Sequence, residues 1–345
     1  MKIVGCDLHT RYQQIAMLDQ ETGELIERRL EHESGEAGAF YAALSSPVRV
    51  GIEATGHTRW FERMLAELGH ELWIGDAARI RASVVRKQKT DARDAAHLLE
   101  LLLSERFPRI WRPTMAERDL RQLVWHRQKL VWMRNAVGNQ LHALAMGEGV
   151  CRKKKLFTKK GRTELESLGL GVWASYRRQE LLTMLDQFDG SLRELDHAVA
   201  EQAEQNAAAV LLMTHPGVGP VTSLAFVLTL GPVERFERSK QVVSYLGLNP
   251  REHSSGGRQR LGAISKQGNP MMRSLLVEAG HTAARLDSAL RQDYQRLKLR
   301  RGSGVAKVAI ARKLAVRMYW MLRGQASYAQ LVRMQGSPWA TLVTE

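Results

Sequence analysis

Short apolar runs and amphipathic segments alternate along the first third of the chain. Three apolar runs follow closely on one another, and Glu21-Thr22-Gly23-Glu24 supplies a turn between the second and third, which predicts three successive strands. Beyond them, apolar residues at helical spacing alternate with two more short apolar runs. The predicted strands are residues 2–7, 14–19, 25–30, 48–52 and 71–74, and the predicted helices are residues 36–44, 60–68 and 91–103.

This order of elements predicts an α/β unit over residues 1–110. Three strands followed by alternating helices and strands are typical of an RNase H-like fold. A Rossmann fold is disfavoured, because no G-x-G-x-x-G motif follows the first predicted strand.

Two long amphipathic segments, residues 115–147 and 179–212, predict a helical pair in a spacer over residues 111–205. The pair suits an antiparallel hairpin or a coiled-coil dimerisation arm, although neither segment keeps a strict heptad. Residues 152–162 between them are strongly basic, which predicts an exposed loop that grips a phosphate backbone. A solvated linker is the alternative.

A mainly helical domain, in which glycines separate the helical segments, is predicted over residues 206–345. His215-Pro216-Gly217-Val218-Gly219 suggests the turn of a helix-hairpin-helix-like element, in which Gly217 and Gly219 let backbone N–H groups approach a phosphate. A purely structural turn is the alternative. Residues 251–269 form a polar loop rich in glycine and serine, and Pro270 is expected to open the next helix.

Positive charge is concentrated in two blocks of the chain. The net charge is +15 over 345 residues, yet residues 1–110 carry 15 basic and 17 acidic side chains. Residues 111–170 carry 13 basic and 5 acidic side chains, and residues 251–345 carry 17 and 5. Such blocks indicate a nucleic-acid partner. A basic surface that serves solubility alone is the alternative.

The composition otherwise predicts an ordinary intracellular protein. No run of 18 apolar residues occurs, and the N-terminus lacks the pattern of a signal peptide, so no membrane association is expected. We expect a cytoplasmic, nucleoid-associated protein. Cys6 and Cys151 are the two cysteines, too few and too far apart for a disulfide framework or a zinc site.

Four acidic residues occupy positions where catalytic carboxylates are expected. Asp7 and Glu53 end apolar strands, and Asp91 and Asp94 stand three residues apart at the start of a helix. Together these oxygen donors predict an anionic site for Mg²⁺, with Mn²⁺ as an alternative, and paired ions of this kind cut phosphodiesters. Taken singly, Asp91 also suits a helix cap, Asp94 a helix dipole and Glu53 a solvated strand end.

Two serines in the polar loop are candidates for a nucleophile. Ser254 and Ser255 stand near Arg258, Arg260 and Lys266, cations that suit phosphate binding during phosphoryl transfer. A flexible surface loop with no catalytic role is the alternative from composition alone.

These residues fall into motifs that resemble those of a known family, the DEDD insertion-sequence transposases of the IS110 type. The three acidic motifs are Gly5-Cys6-Asp7-Leu8-His9, Gly51-Ile52-Glu53-Ala54-Thr55-Gly56 and Lys89-Thr90-Asp91-Ala92-Arg93-Asp94-Ala95. The C-terminal motifs are Pro216-Gly217-Val218-Gly219, Leu246-Gly247-Leu248-Asn249-Pro250-Arg251, Ser254-Ser255-Gly256 and Lys266-Gln267-Gly268-Asn269-Pro270. Arg11 is a mild departure, because many relatives have lysine there.

The resemblance implies a RuvC-like N-terminal domain, a coiled-coil spacer and a helical C-terminal transposase domain. It implies an enzyme that excises and inserts its own element, with Asp7, Glu53, Asp91 and Asp94 holding Mg²⁺. Ser255 would be the nucleophile that forms a transient phosphoserine link to DNA, with Ser254 the weaker candidate. Active sites would be composed from two protomers of a dimer, with a tetramer on DNA, and a non-coding bridge RNA would pair with donor and target DNA.

Basic residues and glycines throughout these motifs are expected to contact nucleic acid. They are Lys89, Arg93, Arg152, Lys153, Lys154, Lys155, Lys159, Lys160, Gly217, Gly219, Arg258, Arg260, Lys266, Arg300 and Arg301. Two other functions stay open at this point: a RuvC-type metal-dependent junction endonuclease in which Ser255 is structural, and a non-catalytic nucleic-acid-binding protein.

Overall fold

The computed structural model describes residues 1–45, 47–84, 90–152, 155–253 and 260–334. The chain forms two compact units, Met1–Arg112 and Pro113–Glu345. The first is a mixed α/β unit, as predicted, and the second is mostly helical. The predicted boundary near residue 205 between spacer and C-terminal domain stays a prediction.

The first unit contains a five-stranded sheet in the order β3-β2-β1-β4-β5. Neighbours among β1, β2 and β3 are antiparallel, whereas β4 is parallel to both β1 and β5. This topology is compatible with the predicted RNase H-like fold. The elements are β1 (Lys2–Leu8), β2 (Tyr12–Asp19), β3 (Leu25–Glu31), α1 (Glu36–Ala42), β4 (Val48–Glu53), α2 (Arg59–Glu67), β5 (Glu71–Gly75), α3 (Ala77–Ser83) and α4 (Asp91–Leu103).

Helices cover both faces of this sheet. Successive side chains of a strand point to opposite faces, so Val4 and Cys6 join the core beneath α1 and α2, whereas Ile3 packs with α4. The predicted helix boundaries agree within two residues, and α4 begins and ends where predicted. Helix α3 was not predicted, because it is one short segment that depends on Asp76, whose carboxylate accepts hydrogen bonds from the backbone N–H groups of Ala78 and Arg79.

Two glycines allow α4 to lie directly on the sheet. A Cβ atom on Gly5 would stand 2.3 Å from the carbonyl oxygen of Ala95 and 2.4 Å from the backbone nitrogen of Leu99. One on Gly51 would meet the side chain of Leu102 at 2.7 Å. Because Gly5 stands two residues before Asp7 on the same face of β1, this contact fixes the distance between α4 and the end of the strand.

Gly5→Ala is expected to lower the free energy of unfolding of the first unit by about 1–3 kcal/mol, since the added methyl group overlaps helix backbone that cannot rotate away. Gly38→Ala is the matched control: it lies in α1, where the nearest atom to an added Cβ is Met64 Sδ at 3.8 Å. There alanine should be neutral or stabilising by up to about 1 kcal/mol. Urea unfolding of both variants measures the difference, and equal stabilities would contradict the close approach of α4.

The second unit begins with two long helices that pack side by side. Helices α5 (Met115–Gly147) and α7 (Val172–Glu204) are 33 residues each, or about 50 Å long. They run antiparallel, because Arg127 pairs with Asp196 while Arg134 pairs with Asp189. The prediction of a helical pair is confirmed for these segments.

The predicted extent of the second long helix, residues 179–212, is wrong at both ends. Helix α7 starts at Val172 and ends at Glu204, and α8 (Ala207–Met213) is a separate helix. The break arises at Asn206, whose side chain accepts a hydrogen bond from Ala209 N–H and so caps α8. The basic segment 152–162 also contains structure, because α6 (Lys159–Glu166) starts within it.

Short helices and one small ribbon complete the second unit. Strands β6 and β7 pair antiparallel within residues 250–264, so the prediction of an irregular polar loop over residues 251–269 is wrong for the residues of these two strands. Pro270 opens a helix, as predicted. The elements are α9 (Pro220–Leu230), a 3₁₀ turn (Val233–Arg235), α10 (Ser239–Tyr245), β6 (Pro250–Glu252), β7 (Leu261–Ile264), α11 (Pro270–Leu286), α12 (Ser288–Arg323, interrupted at Gly302) and α13 (Tyr328–Met334).

The turn between α8 and α9 is anchored by a buried histidine. His215 is 1% exposed, and its Nδ1 donates a hydrogen bond to the Pro216 carbonyl over 2.9 Å. Its ring packs on Tyr328 with centroids 4.4 Å apart, and the Tyr328 hydroxyl donates to Asp287. Burial lowers the pKa of His215 to about 4, so the imidazole is neutral in the folded protein at neutral pH.

His215 should make the stability of the second unit fall on acidification. An unfolded histidine titrates near pH 6.5, whereas folded His215 titrates near pH 4. Between these values the unfolded chain binds more protons, so the free energy of unfolding decreases as pH falls, by up to about 3 kcal/mol.

His215→Asn keeps a donor for the Pro216 carbonyl but does not titrate, so this component of the pH dependence should disappear. Urea titrations followed by circular dichroism across about pH 4 to 6.5 measure it. His197→Asn is the control, because its side chain is 77% exposed. A wild-type pH profile in His215→Asn would contradict the prediction.

Candidate metal centre

Two of the predicted carboxylates lie at the ends of adjacent parallel strands. Cys6 on β1 pairs with Ile52 on β4, so the next residues, Asp7 and Glu53, stand side by side where these strands end. Each directly follows a residue of the core beneath α1 and α2: Asp7 follows Cys6, and Glu53 follows Ile52. Asp7 and Glu53 therefore belong to the opposite face, the one that α4 covers.

Helix α4 begins at this same end of the sheet. Thr90 is its N-cap, and the threonine side chain accepts a hydrogen bond from Arg93 N–H. The capping role considered for Asp91 is therefore filled by Thr90, and Asp91 and Asp94 both stand in the first turn. The positive end of the helix dipole favours carboxylates there.

Asp7 and Asp91 come together around a histidine. His9 Nε2 lies 3.0 Å from Asp7 Oδ2 and 3.6 Å from Asp91 Oδ2. Asp7 is the most enclosed of the three, with 22% of its side chain exposed, compared with 38% for His9 and 44% for Asp91. The site is therefore open to solvent on the helix side.

The surroundings of Asp7 shift its pKa in opposing directions. Burial raises the pKa of Asp7 above its ordinary value. The charge and hydrogen bond of His9 lower that pKa, and the negative charges of Asp94 and Asp91 raise it again. Asp94 is thus close enough to act on Asp7, and a bound cation would relieve the repulsion among these carboxylates.

Glu53 has a different immediate partner. Its Oε1 lies 3.7 Å from an Nη atom of Arg81 on α3, and 39% of its side chain is exposed. The three-residue cluster does not include it, although its strand position places it next to Asp7.

His9, Tyr12 and Arg29 also lie at this end of the sheet, and the sequence did not predict them as site residues. Tyr12 donates a hydrogen bond from its hydroxyl to Asp91 Oδ2 over 2.9 Å, and its ring stacks on His9 with centroids 4.7 Å apart. The Arg29 guanidinium lies 3.7 Å from the centroid of the Tyr12 ring. The one available signal was the Asp-x-His spacing, which places Asp7 and His9 two residues apart at the end of β1.

The donor atoms present fit a divalent metal ion. One ligand atom each from Asp7, His9 and Asp91 lies within 4.8 Å of the others. Ligands at about 2.1 Å from an octahedral ion stand about 3 to 4 Å apart, so small side-chain movements would bring all three onto one ion. Carboxylate oxygens are the donors that hard divalent cations prefer.

Comparison with known proteins adds two family matches to this geometry. Residues 4–147 match a transposase family model of the DEDD IS110 type, and residues 209–295 match the model for the transposase IS116/IS110/IS902 family. The first match contains all four acidic residues, and the two matches together cover most of the chain.

The chain belongs to the DEDD transposases of the IS110 type.

Two of the relatives match this chain over nearly its whole length, and a third matches about a third of it. A probable family 20 transposase of Pseudomonas aeruginosa is 27% identical over 92% of this chain and 96% of its own. The transposase for insertion sequence element IS1111A of Coxiella burnetii is 27% identical over 95% of this chain and 91% of its own. The pilin gene-inverting protein of Moraxella lacunata is 33% identical over 34% of this chain and 36% of its own. The protein is thus an enzyme that acts on DNA.

The residues of the transposase that are predicted to contact nucleic acid are spread along both units of the chain. Most of those that the structure describes are exposed: Arg93, Arg152, Lys155, Lys159, Lys160, Gly219, Arg260, Lys266, Arg300 and Arg301. Gly217 is half-buried, with φ +88°, and a Cβ there would stand 2.5 Å from the backbone nitrogen of Ala283 on α11. Arg152 forms a two-pronged ion pair with Glu164. Lys89, Lys153, Lys154, Ser254, Ser255 and Arg258 lie outside the described residues.

The residues that flank segment 254–259 pair with each other through their backbones. His253 N–H donates to the Arg260 carbonyl over 2.9 Å, so the residues that flank 254–259 are paired. Ser265 N–H donates to the Asn249 carbonyl over 2.8 Å, and a Cβ on Gly247 would stand 2.0 Å from the Gln267 carbonyl oxygen. These close backbone contacts fix the base of the β6–β7 ribbon.

Among the described residues, no helix is long and apolar enough to cross a membrane.

Proposed function

We propose that this transposase excises and inserts its own insertion sequence by metal-dependent cleavage and rejoining of DNA strands. The convergence of Asp7, Asp91 and the charge of Asp94 where β1 ends and α4 begins carries the proposal. The names of two relatives support it, because one serves an insertion sequence element and the other inverts a pilin gene, and both are DNA rearrangements.

The first unit serves as an RNase H-like, RuvC-like catalytic domain. The strand order β3-β2-β1-β4-β5, with the first three strands antiparallel and the last two parallel, supports this assignment. In such a sheet the ends of the two central strands present their side chains to one site, and here those side chains are Asp7 and Glu53.

Mg²⁺ is the proposed ion, with Mn²⁺ as an alternative. Bound ions would stabilise the attacking and leaving oxygens of a displacement at phosphorus. Asp7 and Asp91 would hold an ion directly, and Glu53 and Asp94 would complete the acidic tetrad once Glu53 exchanges Arg81 for the ion. Thr90 and the first turn of α4 keep two of the four carboxylates in place.

Ser255 is the proposed nucleophile, with Ser254 the weaker candidate. Its Oγ would form a bond to phosphorus while the bond to a deoxyribose oxygen breaks, and that oxygen would leave with a proton. The phosphoserine link conserves the energy of the phosphodiester, so rejoining is the same step in reverse with a different strand. Arg260 and Lys266 are exposed near the base of the ribbon and could bind the neighbouring phosphates.

The second unit would bind nucleic acid and join protomers. We assign a helix-hairpin-helix-like role to α8 and α9, where the exposed Gly219 caps α9 and leaves its first N–H groups available to a phosphate. On α5, Trp125 and Trp132 are one heptad apart and 50% and 44% exposed, which suits a dimerisation arm. A dimer, and a tetramer on DNA, would then compose each active site from two protomers.

A structured guide RNA is the proposed source of target choice. The strongly basic blocks at residues 111–170 and 251–345 suit a large polyanion such as RNA together with DNA duplexes. Base pairing would then supply sequence specificity, and the protein would bind the sugar–phosphate backbones of the RNA and the DNA.

An excision assay with purified transposase and a plasmid that carries the element tests the proposal. Excision should require a divalent ion and RNA transcribed from the non-coding flank of the element. Undiminished excision in EDTA would overturn the metal site, and undiminished excision after ribonuclease treatment would overturn the RNA guide. Sequencing of nucleic acid that co-purifies with the protein identifies the guide independently.

A further inference from the structure

The histidine between the two aspartates stands where a third metal ligand would stand. His9 Nε2 is 3.0 Å from Asp7 Oδ2 and 3.6 Å from Asp91 Oδ2. In an octahedral site with bonds of about 2.1 Å, neighbouring ligand atoms are about 3 Å apart, which is close to both distances. An ion on Asp7 and Asp91 would therefore have the imidazole nitrogen within reach, and its binding would replace the hydrogen bond between Nε2 and Asp7 and release the Nε2 proton to solvent.

The β1–β2 turn holds this imidazole in position. His9 N–H donates to the Tyr12 carbonyl over 3.0 Å, and the two rings stack at an interplanar angle of 29°. Arg29 from β3 covers the Tyr12 ring, and the Tyr12 hydroxyl orients Asp91 through its Oδ2. One side chain thus orients both the imidazole and a carboxylate, an arrangement typical of the residues that surround a metal ligand.

We propose that His9 is a nitrogen ligand of the metal ion held by Asp7 and Asp91, and that Tyr12 is the positioning residue for both His9 and Asp91. The proposal rests on the acidic metal site of the proposed function. It makes one ion site of this transposase a mixed nitrogen and oxygen site. Such a site favours Mn²⁺ and Co²⁺ relative to Mg²⁺, because imidazole is a better donor to these ions than to Mg²⁺.

Pulsed electron paramagnetic resonance of bound Mn²⁺ tests the ligand directly. Wild-type protein should show coupling between Mn²⁺ and one ¹⁴N nucleus. His9→Gln, which places an oxygen at similar reach, should lose that coupling while still binding Mn²⁺. His197→Gln is the matched control, because this histidine is exposed on α7, and it should keep the signal.

Metal titrations give a second readout. His9→Gln should weaken Mn²⁺ and Co²⁺ binding about tenfold and leave Mg²⁺ binding within about threefold, as expected for loss of one nitrogen donor. Tyr12→Phe should keep the nitrogen coupling, since the ring stack remains, but weaken the binding of Mn²⁺ and Mg²⁺ alike.

The outcomes separate this proposal from the one on which it rests. If Mn²⁺ binds in a manner that Asp7→Asn abolishes but shows no nitrogen coupling, His9 is not a ligand, whereas the acidic site stands. If Mn²⁺ binding does not depend on Asp7 and Asp91, the acidic metal site itself is wrong. Equal losses for Mn²⁺ and Mg²⁺ in His9→Gln would overturn the predicted selectivity.

Discussion

Asp7→Asn is expected to lower the rate of DNA strand cleavage by at least about a thousandfold. Asp7 is more enclosed than Asp91, it stands one residue before the end of the central strand β1, and its Oδ2 lies 3.0 Å from His9 Nε2. Loss of one anionic ligand removes charge stabilisation worth several kcal/mol at the reacting phosphate, and about 4 kcal/mol corresponds to a thousandfold in rate. A nicking assay on radiolabelled element ends measures the effect.

Binding of the element ends should survive this substitution, because the basic residues expected to contact nucleic acid are unchanged. Glu27→Gln is the control, since Glu27 is an exposed carboxylate on β3 in the same unit. It removes the same charge and should leave cleavage within about twofold, as is usual for surface substitutions. A cleavage rate for Asp7→Asn within tenfold of the wild type would contradict a catalytic role for the cluster.

The sheet and the positions of its carboxylates could be predicted because they follow from local sequence. Short apolar runs gave the strands within two residues, and the alternation of side chains along a strand puts Asp7 and Glu53 on one face. The first turn of α4 was equally predictable, since its apolar periodicity begins directly after the acidic pair.

The surroundings of the carboxylates could not be predicted in the same way. The contacts of His9 and Tyr12 depend on the path of the β1–β2 turn, and the cover by Arg29 depends on the register between β2 and β3. Neither is set by local propensity. For the same reason α3 and the ribbon β6–β7 were missed, because each depends on a side-chain cap or on pairing between distant residues.

Gly5 and Gly217 both belong to motifs of the sequence, and the structure gives each of them a packing role. Gly5 belongs to an acidic motif, but its structural role is to admit the backbone of α4. Gly217 was expected at a phosphate, and its positive φ and close approach to Ala283 provide a packing reason for glycine at that position. A phosphate contact through its backbone N–H stays a prediction.

Ser255→Ala is expected to abolish recombination, with a loss of more than about a thousandfold, while binding of DNA and of metal ions is retained. If the Oγ of Ser255 forms the bond to phosphorus, alanine leaves no atom to replace it, and loss of a nucleophile is among the most severe single changes an enzyme can suffer. Ser254→Ala is the matched control, because it removes one hydroxyl group from the neighbouring residue. It should keep the rate of recombination within about tenfold of the wild type.

A suicide DNA substrate, nicked beside the cleavage site, separates serine chemistry from metal-activated hydrolysis. The wild type should form a covalent protein–DNA band on a denaturing gel, since the short leaving strand diffuses away before rejoining. Ser255→Ala should form none. If the band persists in Ser255→Ala and disappears in Ser254→Ala, the nucleophile is Ser254. If no variant forms the band and Ser255→Ala still cuts, water is the nucleophile, and the protein acts as a RuvC-type endonuclease in which the serine is structural.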